Sequence, residues 1–225
     1  MASTQTLVST PRVALEDPLA YLPRSTVKKY WKGEVIYSES QPLTHLYLVL
    51  SGSVMVSRST TPETEIVIDI YQPDEFFGES ALLGSPCCSE QARAGQDSRV
   101  MLWTRDHVEQ VISRQPRLAL ALIQVMVQRA TGFVRRIESL CTENVQQRLV
   151  RLLLRLAHRS GTLDRTGWIR LKPMTHELIS RHLGTTREVV SVTMNRLKRL
   201  GYLRYSRAAI VIDSRSLQTL VPSDK

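Results

Sequence analysis

Little in this 225-residue chain marks it for export, a membrane or catalysis. Its three cysteines, Cys87, Cys88 and Cys141, cannot supply a disulfide framework and point to a reducing compartment. No run approaches about 18 consecutive apolar residues, so no membrane span is expected. The opening stretch MASTQTLVSTPRVALEDP lacks the basic start and apolar core of a secretory signal. It reads as a flexible polar tail over residues 1–20, and the protein as cytoplasmic. The five histidines, His45, His107, His158, His176 and His182, show no diagnostic ligand arrangement, so no metal site is expected. Without a Gly-rich phosphate loop or a nucleophile–base set, no enzyme is expected either.

What the chain does have is positive charge, unevenly placed. The formal net charge is +9, and residues 141–225 hold 16 Lys and Arg against 6 Asp and Glu. Residues 1–140 are close to balanced, with 14 against 15. A basic surplus confined to one end is the footprint of a polyanion binder. The same end contains MTHELISRHLGTTREVVSVTMNRLKRL, residues 174–200, which reads as two short helices joined at Gly184-Thr185-Thr186. Ile179, Leu183, Val190 and Leu197 form the apolar seam between them. Thr175 suits the cap of the first helix. The pattern is a helix-turn-helix, whose second helix enters the major groove of double-stranded DNA.

Around this motif, residues 142–160 form an amphipathic helix burying Val145, Leu149, Leu152, Leu153 and Leu156, ended by Gly161. Gly167–Lys172 reads as a short strand pair, with a turn at Asp164–Gly167. Tyr202–Tyr205 and Ala209–Ile212 make a wing. Upstream, Glu34–Tyr37, His45–Leu50, Ser53–Ser57, Glu65–Tyr71 and Ser98–Trp103 are short β-rich runs punctuated by Gly33, Gln41-Pro42, Ser51-Gly52 and Gln72–Asp74. Strands at this spacing predict a jelly-roll or barrel-like sandwich. After Pro116 a long helix begins. Ala119, Ile123, Met126, Ala130, Phe133, Ile137 and Leu140 recur at intervals of four and three, an a/d stripe held over three heptads.

The expected fold is therefore α+β. Residues 21–113 form a β-roll, 114–140 a dimerisation helix, and 141–225 a winged helix-turn-helix. The runs LYLVLSGSVMVS and IYQPDEFFGESALLGSP resemble the cyclic-nucleotide-binding β-roll, with Gly52 at a strand turn and Phe77-Gly78-Glu79 at the opening of its phosphate cassette. With the helix-turn-helix downstream, the chain from about residue 24 resembles a Crp/Fnr family transcription regulator.

That resemblance implies a homodimer reading an inverted repeat, with half-sites one helical turn, about 34 Å, apart. RNA polymerase is an implied partner. Arg187 and Glu188 match the family's base-reading pair. An Arg fork suits guanine O6 and N7, and a carboxylate suits the cytosine amino group. Ser191 is a further base contact, whereas Val192 stands where many relatives place a second Arg. Thr186, Arg181, Arg196, Lys198, Arg199 and Arg207 are the candidate phosphate contacts.

The resemblance also marks an effector pocket at Gly78, Glu79, Cys88, Ser89, Arg93, Arg129, Phe133 and Val134. Cyclic AMP is not expected there. The family's Arg-Ser pair, whose Arg neutralises the cyclic phosphate, reads Cys88-Ser89, and its adenine-facing hydroxyls are replaced by Phe133 and Val134. An iron–sulfur cluster is excluded because residues 1–30 contain no cysteine, and haem lacks recognisable axial ligands. Three sensor readings stay open: an organic acid held by Arg93 and Arg129, thiol oxidation at Cys87-Cys88, or no ligand. The rival to sequence-specific regulation is an architectural DNA-bending role with a degenerate sensor.

Overall fold

The computed structural model describes residues 15–39, 41–61, 64–84, 90–165, 167–206 and 208–221. The N-terminal half is a β-roll of two four-stranded antiparallel sheets. One is ordered β1 (Thr26–Tyr30), β8 (Ser98–Thr104), β3 (His45–Ser51), β6 (Phe76–Phe77). The other is ordered β2 (Val35–Tyr37), β7 (Gln91–Ala94), β4 (Val54–Thr61), β5 (Thr64–Tyr71).

Strand β3 shows how sequence builds the layers. Leu46 to Val49 are all buried, so the strand is covered on both faces. Tyr47 and Val49 point to the core between the sheets, with Val54, Val56, Phe77 and Val100. Leu46 and Leu48 point the other way, onto Trp103, Val108, Leu118 and Leu122. Val108 belongs to α1 (Arg105–Arg114), and Leu118 and Leu122 to α2 (Arg117–Thr142). Each large aliphatic so buried contributes about 1.5–3 kcal/mol, which seats the start of α2 firmly on the sheet. The rest of α2 projects from this anchor: among its residues only Leu118, Ala121 and Leu122 are buried. At 26 residues, it spans about 39 Å.

The C-terminal half begins at α3 (Val145–Ser160), whose entry is fixed by a reciprocal capping box between Asn144 and Gln147. A four-stranded sheet follows in the order β11 (Leu203–Tyr205), β12 (Ile210–Ile212), β10 (Ile169–Leu171), β9 (Thr162–Leu163). Between β10 and β11 lie α4 (His176–Leu183) and α5 (Arg187–Arg199), and α6 (Ser214–Gln218) closes the unit. Leu149, Leu152, Leu153, Ile179, Leu183, Val190, Met194 and Leu197 form one core. All four residues of the expected α4–α5 seam are in it.

The expected strands are present, several of them longer than the sequence runs suggest. Strands β1, β6 and β7 and helices α1 and α6 were not anticipated. Strand β1, TVKKY, is almost wholly exposed, and QARA of β7 is poor in β-branched residues, so neither carries a period-two signal. Gly161 caps α3 with φ −74° rather than in the left-handed region. A Cβ there would sit 2.4 Å from Ile169 and 2.5 Å from the Ala157 carbonyl oxygen, so close packing explains the glycine.

Candidate nucleic-acid interface and sensor pocket

The turn between α4 and α5 depends on Gly184, at φ +64°, a conformation that costs other residues energy. Thr175 caps α4 and Thr186 caps α5, each hydroxyl accepting from a backbone N–H three residues on. With the seam residues buried, the opposite face of α5 is left to solvent. Arg187, Glu188, Val192, Arg196, Lys198 and Arg199 are all exposed there, Val192 at 67%.

Ser191 is half-buried and bonded to His176 Nδ1 at 2.8 Å. His176 meets Tyr205 of the wing edge-on at 5.3 Å, and the Tyr205 hydroxyl donates to Asn195 Oδ1 at 3.0 Å. The Lys198 ammonium lies 5.3 Å over the same ring. These supports escaped the sequence reading because His176, Asn195 and Tyr205 belong to three separate elements. Glu188 is held below the usual carboxylate range by its own backbone N–H, then by the Thr186 hydroxyl, then by Arg187. It is therefore ionised, as acceptance from a cytosine amino group requires.

Two candidate phosphate contacts differ from this exposed set. Arg181 bonds Glu177 at 3.0 Å and also pairs with Glu65 of β5, so in this conformation it ties α4 to the β-roll. Arg207 lies outside the described residues.

The tie is part of a larger arginine network between the two halves. Arg159, at the end of α3, donates to Glu75 at 2.8 Å, Asp69 at 3.3 Å and the Ile70 carbonyl at 3.1 Å. Arg136 of α2 donates to the carbonyls of Val67 (2.9 Å), His182 (2.7 Å) and Ile68. Backbone carbonyls carry no sequence identity, so nothing in the residue pattern announces the Arg136 contacts.

A cavity of about 340 Å³ lies between the β-roll and α2; of the expected effector-pocket residues Arg129 and Phe133 line it, and Gly78 and Glu79 do not. Gly78, at φ +76°, packs against Tyr47, where a Cβ would come within 2.7 Å of the ring. It opens the short helical turn holding Glu79. Arg129 enters from α2, pairs with Glu79 at 2.5 Å, donates to the Phe76 carbonyl and stacks over Tyr71 at 4.9 Å. Burial pushes the Tyr71 hydroxyl well up, so it stays neutral. Glu90 is raised by burial and then by Glu79. Arg129 and Phe133 line the cavity together with Asp69, Asp74 and Glu75.

Other pocket candidates are placed differently. Arg93 is on β7, its Nε bonded to Gln91 at 3.2 Å, and is not among the lining residues. Cys88 and Ser89, with Cys87, lie outside the described residues. Val134 corrects the sequence expectation: one residue on from Phe133 is 100° round the helix, and its side chain is 54% exposed away from the cavity.

The same phase shift affects the heptad stripe. The exposed large apolar side chains of α2 are Leu120, Ile123, Val127, Val134, Ile137 and Leu140. Ile123, Ala130, Ile137 and Leu140 of the expected stripe are exposed, whereas Ala119, Met126 and Phe133 are half-buried. Val127 and Val134 stand in the positions assigned to Met126 and Phe133. Among the described residues no group of three or more His, Cys, Asp or Glu could hold a metal ion, and no helix is long and apolar enough to cross a membrane.

A β-roll of this form followed by a winged helix-turn-helix defines a class, the DNA-binding transcription regulators with a cyclic-nucleotide-binding-like domain. The family model for the cyclic nucleotide-binding domain matches residues 27–115, and that for the Crp-like helix-turn-helix domain matches residues 147–220. The chain belongs to the Crp/Fnr family of transcription regulators. It is 28% identical to the transcriptional regulator SdrP of Thermus thermophilus over 81% of this chain and 86% of that one. It is 25% identical to the CRP-like cAMP-activated global transcriptional regulator of Mycobacterium tuberculosis over 80% and 81%. Among solved structures, FixK2 from Bradyrhizobium japonicum superposes with a TM-score of 0.78 at 25% identity, covering 89% of this chain and 99% of that one.

Proposed function

We propose that this regulator acts as a symmetric dimer in the cytoplasm, reading an inverted repeat through α5 and engaging RNA polymerase from that site. The observation that carries the reading is the exposed face of α5, with Arg187 and Glu188 at its start and Arg196, Lys198 and Arg199 at its end. The first pair suits base edges, with Ser191 and Val192 beside it; the last three, with Thr186, suit phosphates. Arg181 joins the phosphate set once its link to Glu65 opens. Val192 can offer only a methyl contact, so the half-site differs from that of relatives with Arg there. Residues 21–113 are the sensor, 114–140 the dimer helix and 141–225 the DNA-reading unit. The dimer seam is the exposed stripe of α2, with Val127 and Val134 joining Ile123, Ala130, Ile137 and Leu140.

The sensor does not take cyclic AMP in this reading. The one guanidinium of the roll–helix cavity held by a cassette residue, Arg129, is committed to Glu79, and Asp69, Asp74 and Glu75 share that cavity. Asp69 and Glu75 are paired with Arg159, and a cyclic phosphate would have to displace the formed Glu79 ion pair to reach Arg129. An organic acid faces the same competition. A pocket filled by Phe133, or a thiol response at Cys87-Cys88, fits these residues better. Neither an iron–sulfur cluster nor haem is part of the proposal, and no catalysis is assigned.

Titrating cyclic AMP into the purified protein tests the sensor reading: no saturable heat is expected, and micromolar binding would overturn it. Recovery of duplexes from a randomised pool tests the DNA reading. An inverted repeat is expected, and recovery without sequence preference would favour an architectural role.

A further inference from the structure

A second cavity, of about 780 Å³, lies in the crook where α2 meets α3, closed by the end of α4 and by Gln218 and Val221. Its walls are unusually cationic. Helix α3 presents Arg148, Arg151, Arg155 and Arg159 along one side, the spacing of a single helix face. Helix α2 adds Arg135 and Arg136. The carboxylates among the lining residues are Glu138 and Glu143, and Glu143 is already paired with Arg151. Arg159 is neutralised by Asp69 and Glu75. Arg135, Arg148 and Arg155 make no ion pair within 4 Å among the described residues, so the cavity keeps a positive surplus.

Donors without acceptors line the same walls. The Nε of Arg148 is buried with no hydrogen-bond partner. Arg155 Nη2 lies 3.3 Å from His182 Nε2. A guanidinium can only donate, so Nε2 must accept and Nδ1 must carry the proton. That Nδ1–H, on an imidazole 4% exposed, also has no partner. Burial and then the like charge of Arg155 lower the Arg136 guanidinium, so the arginines of the cluster repel one another. Such a cluster persists at a cost unless an anion offsets it.

We propose that this hinge cavity is a binding site for a small phosphate-chain anion, inorganic oligophosphate or the polyphosphate of a nucleotide. It adjoins the roll–helix cavity and shares Gly132, Arg136, Arg155 and Arg159 with it, while Arg135, Arg148 and Arg151 line the hinge cavity alone. Three features argue for that class. The volume falls within the usual range for small-molecule sites, roughly 300–1,000 Å³. Guanidinium forks match phosphate oxygens bidentately. Leu154 and Val221 give an apolar wall that a base could cover. The site differs from the DNA-reading face, since no α5 side chain lines it. It meets the dimer seam at Leu140, but Arg135, Arg136 and Ser139 lie on the side of α2 opposite Val127, Val134 and Ile137. A ligand there would bridge α2 and α3 across Glu143-Asn144, stiffening the joint between sensor and DNA-reading unit.

Calorimetric titration of the full-length protein with tripolyphosphate, ATP and sulfate at physiological salt tests this. Saturable binding of one tripolyphosphate per chain is expected, weakened at least tenfold by Arg148→Ala and by Arg155→Ala and unchanged by Arg187→Ala. ATP binding equal to tripolyphosphate would assign the phosphate chain alone, and tighter ATP binding would add a nucleoside contact. Arg155→Lys, with an unchanged melting temperature, should keep part of the affinity and guards against misfolding. No saturable binding by the wild type, sulfate binding as tight as tripolyphosphate, or a loss confined to Arg187→Ala would each overturn the proposal. Sequence preference on DNA should survive Arg155→Ala, so failure here is distinguishable from failure of the DNA reading.

Discussion

Replacing Val134 by arginine should convert the protein to a monomer. Val134 is 54% exposed on α2, within the stripe that includes Val127 at 58% and Ile137 at 60%. Full burial of a valine is worth about 1.5–3 kcal/mol, so covering its exposed half recovers about 1 kcal/mol per protomer. Across a two-fold axis the loss doubles to about 2 kcal/mol, or roughly thirtyfold in dissociation constant. The substitution also brings two like charges together in a desolvated seam. That adds several kcal/mol, so the total exceeds about a thousandfold.

Sedimentation equilibrium over a concentration series reads the change directly. Phe133→Ala is the counterpart: Phe133 lines the roll–helix cavity, so it should lower the melting temperature and leave assembly intact. Cys141 is exposed, and lying four residues on from Ile137 it continues the proposed seam. In a Cys87→Ser/Cys88→Ser background, mild oxidation should therefore crosslink the dimer. Unchanged association of Val134→Arg together with a monomeric Phe133→Ala would refute the assigned helix face.

Other consequences are equally open to measurement. Arg187→Ala should cost about 1–3 kcal/mol on the specific site and relax preference at one base pair; equal losses on specific and random duplex would remove Arg187 from base reading. Lys198→Ala should weaken all sequences alike and reduce the salt slope by about one. Arg159→Ala strands Asp69 and Glu75, both partly buried. It should cost about 2–3 kcal/mol, the usual penalty for a broken buried pair reduced for residual exposure, and proteolysis should open the joint between the halves. An unchanged melting temperature would count against that network.

Stability should also fall as pH drops from about 7 to 5.5. Burial, then Arg136, Arg155 and Arg159, push the His182 imidazole well below its ordinary range. Below its ordinary pKa, about 6.5, the unfolded chain takes up a proton that the native state refuses. The penalty grows until the folded group titrates. Thermal melts of His182→Gln should show a flatter dependence, and an identical slope would contradict a neutral buried His182.

The parts legible in sequence are those set by local pattern. The seam of Ile179, Leu183, Val190 and Leu197, the Thr175 cap and the Gly184 turn all follow from spacing and backbone preference. The phase of α2 is harder. Two adjacent apolar pairs, Met126-Val127 and Phe133-Val134, fit a heptad equally well, and only the seating of Leu118 and Leu122 on the β-roll decides which member faces out. Arg136 and Arg159 were invisible because their partners, Val67, Ile68, Asp69 and Glu75, are some 70 to 90 residues distant. The long-range role of Arg181 was hidden by its position on a motif helix, where a phosphate contact is the ordinary expectation.

The most direct test is to select duplexes from a randomised pool with reduced, ligand-free protein, in parallel with Arg187→Ala. The wild type should enrich an inverted repeat with half-sites about 34 Å apart, and Arg187→Ala should lose one symmetric pair of positions from it. Enriched sequences without two-fold symmetry, or an identical motif from both proteins, would contradict the account.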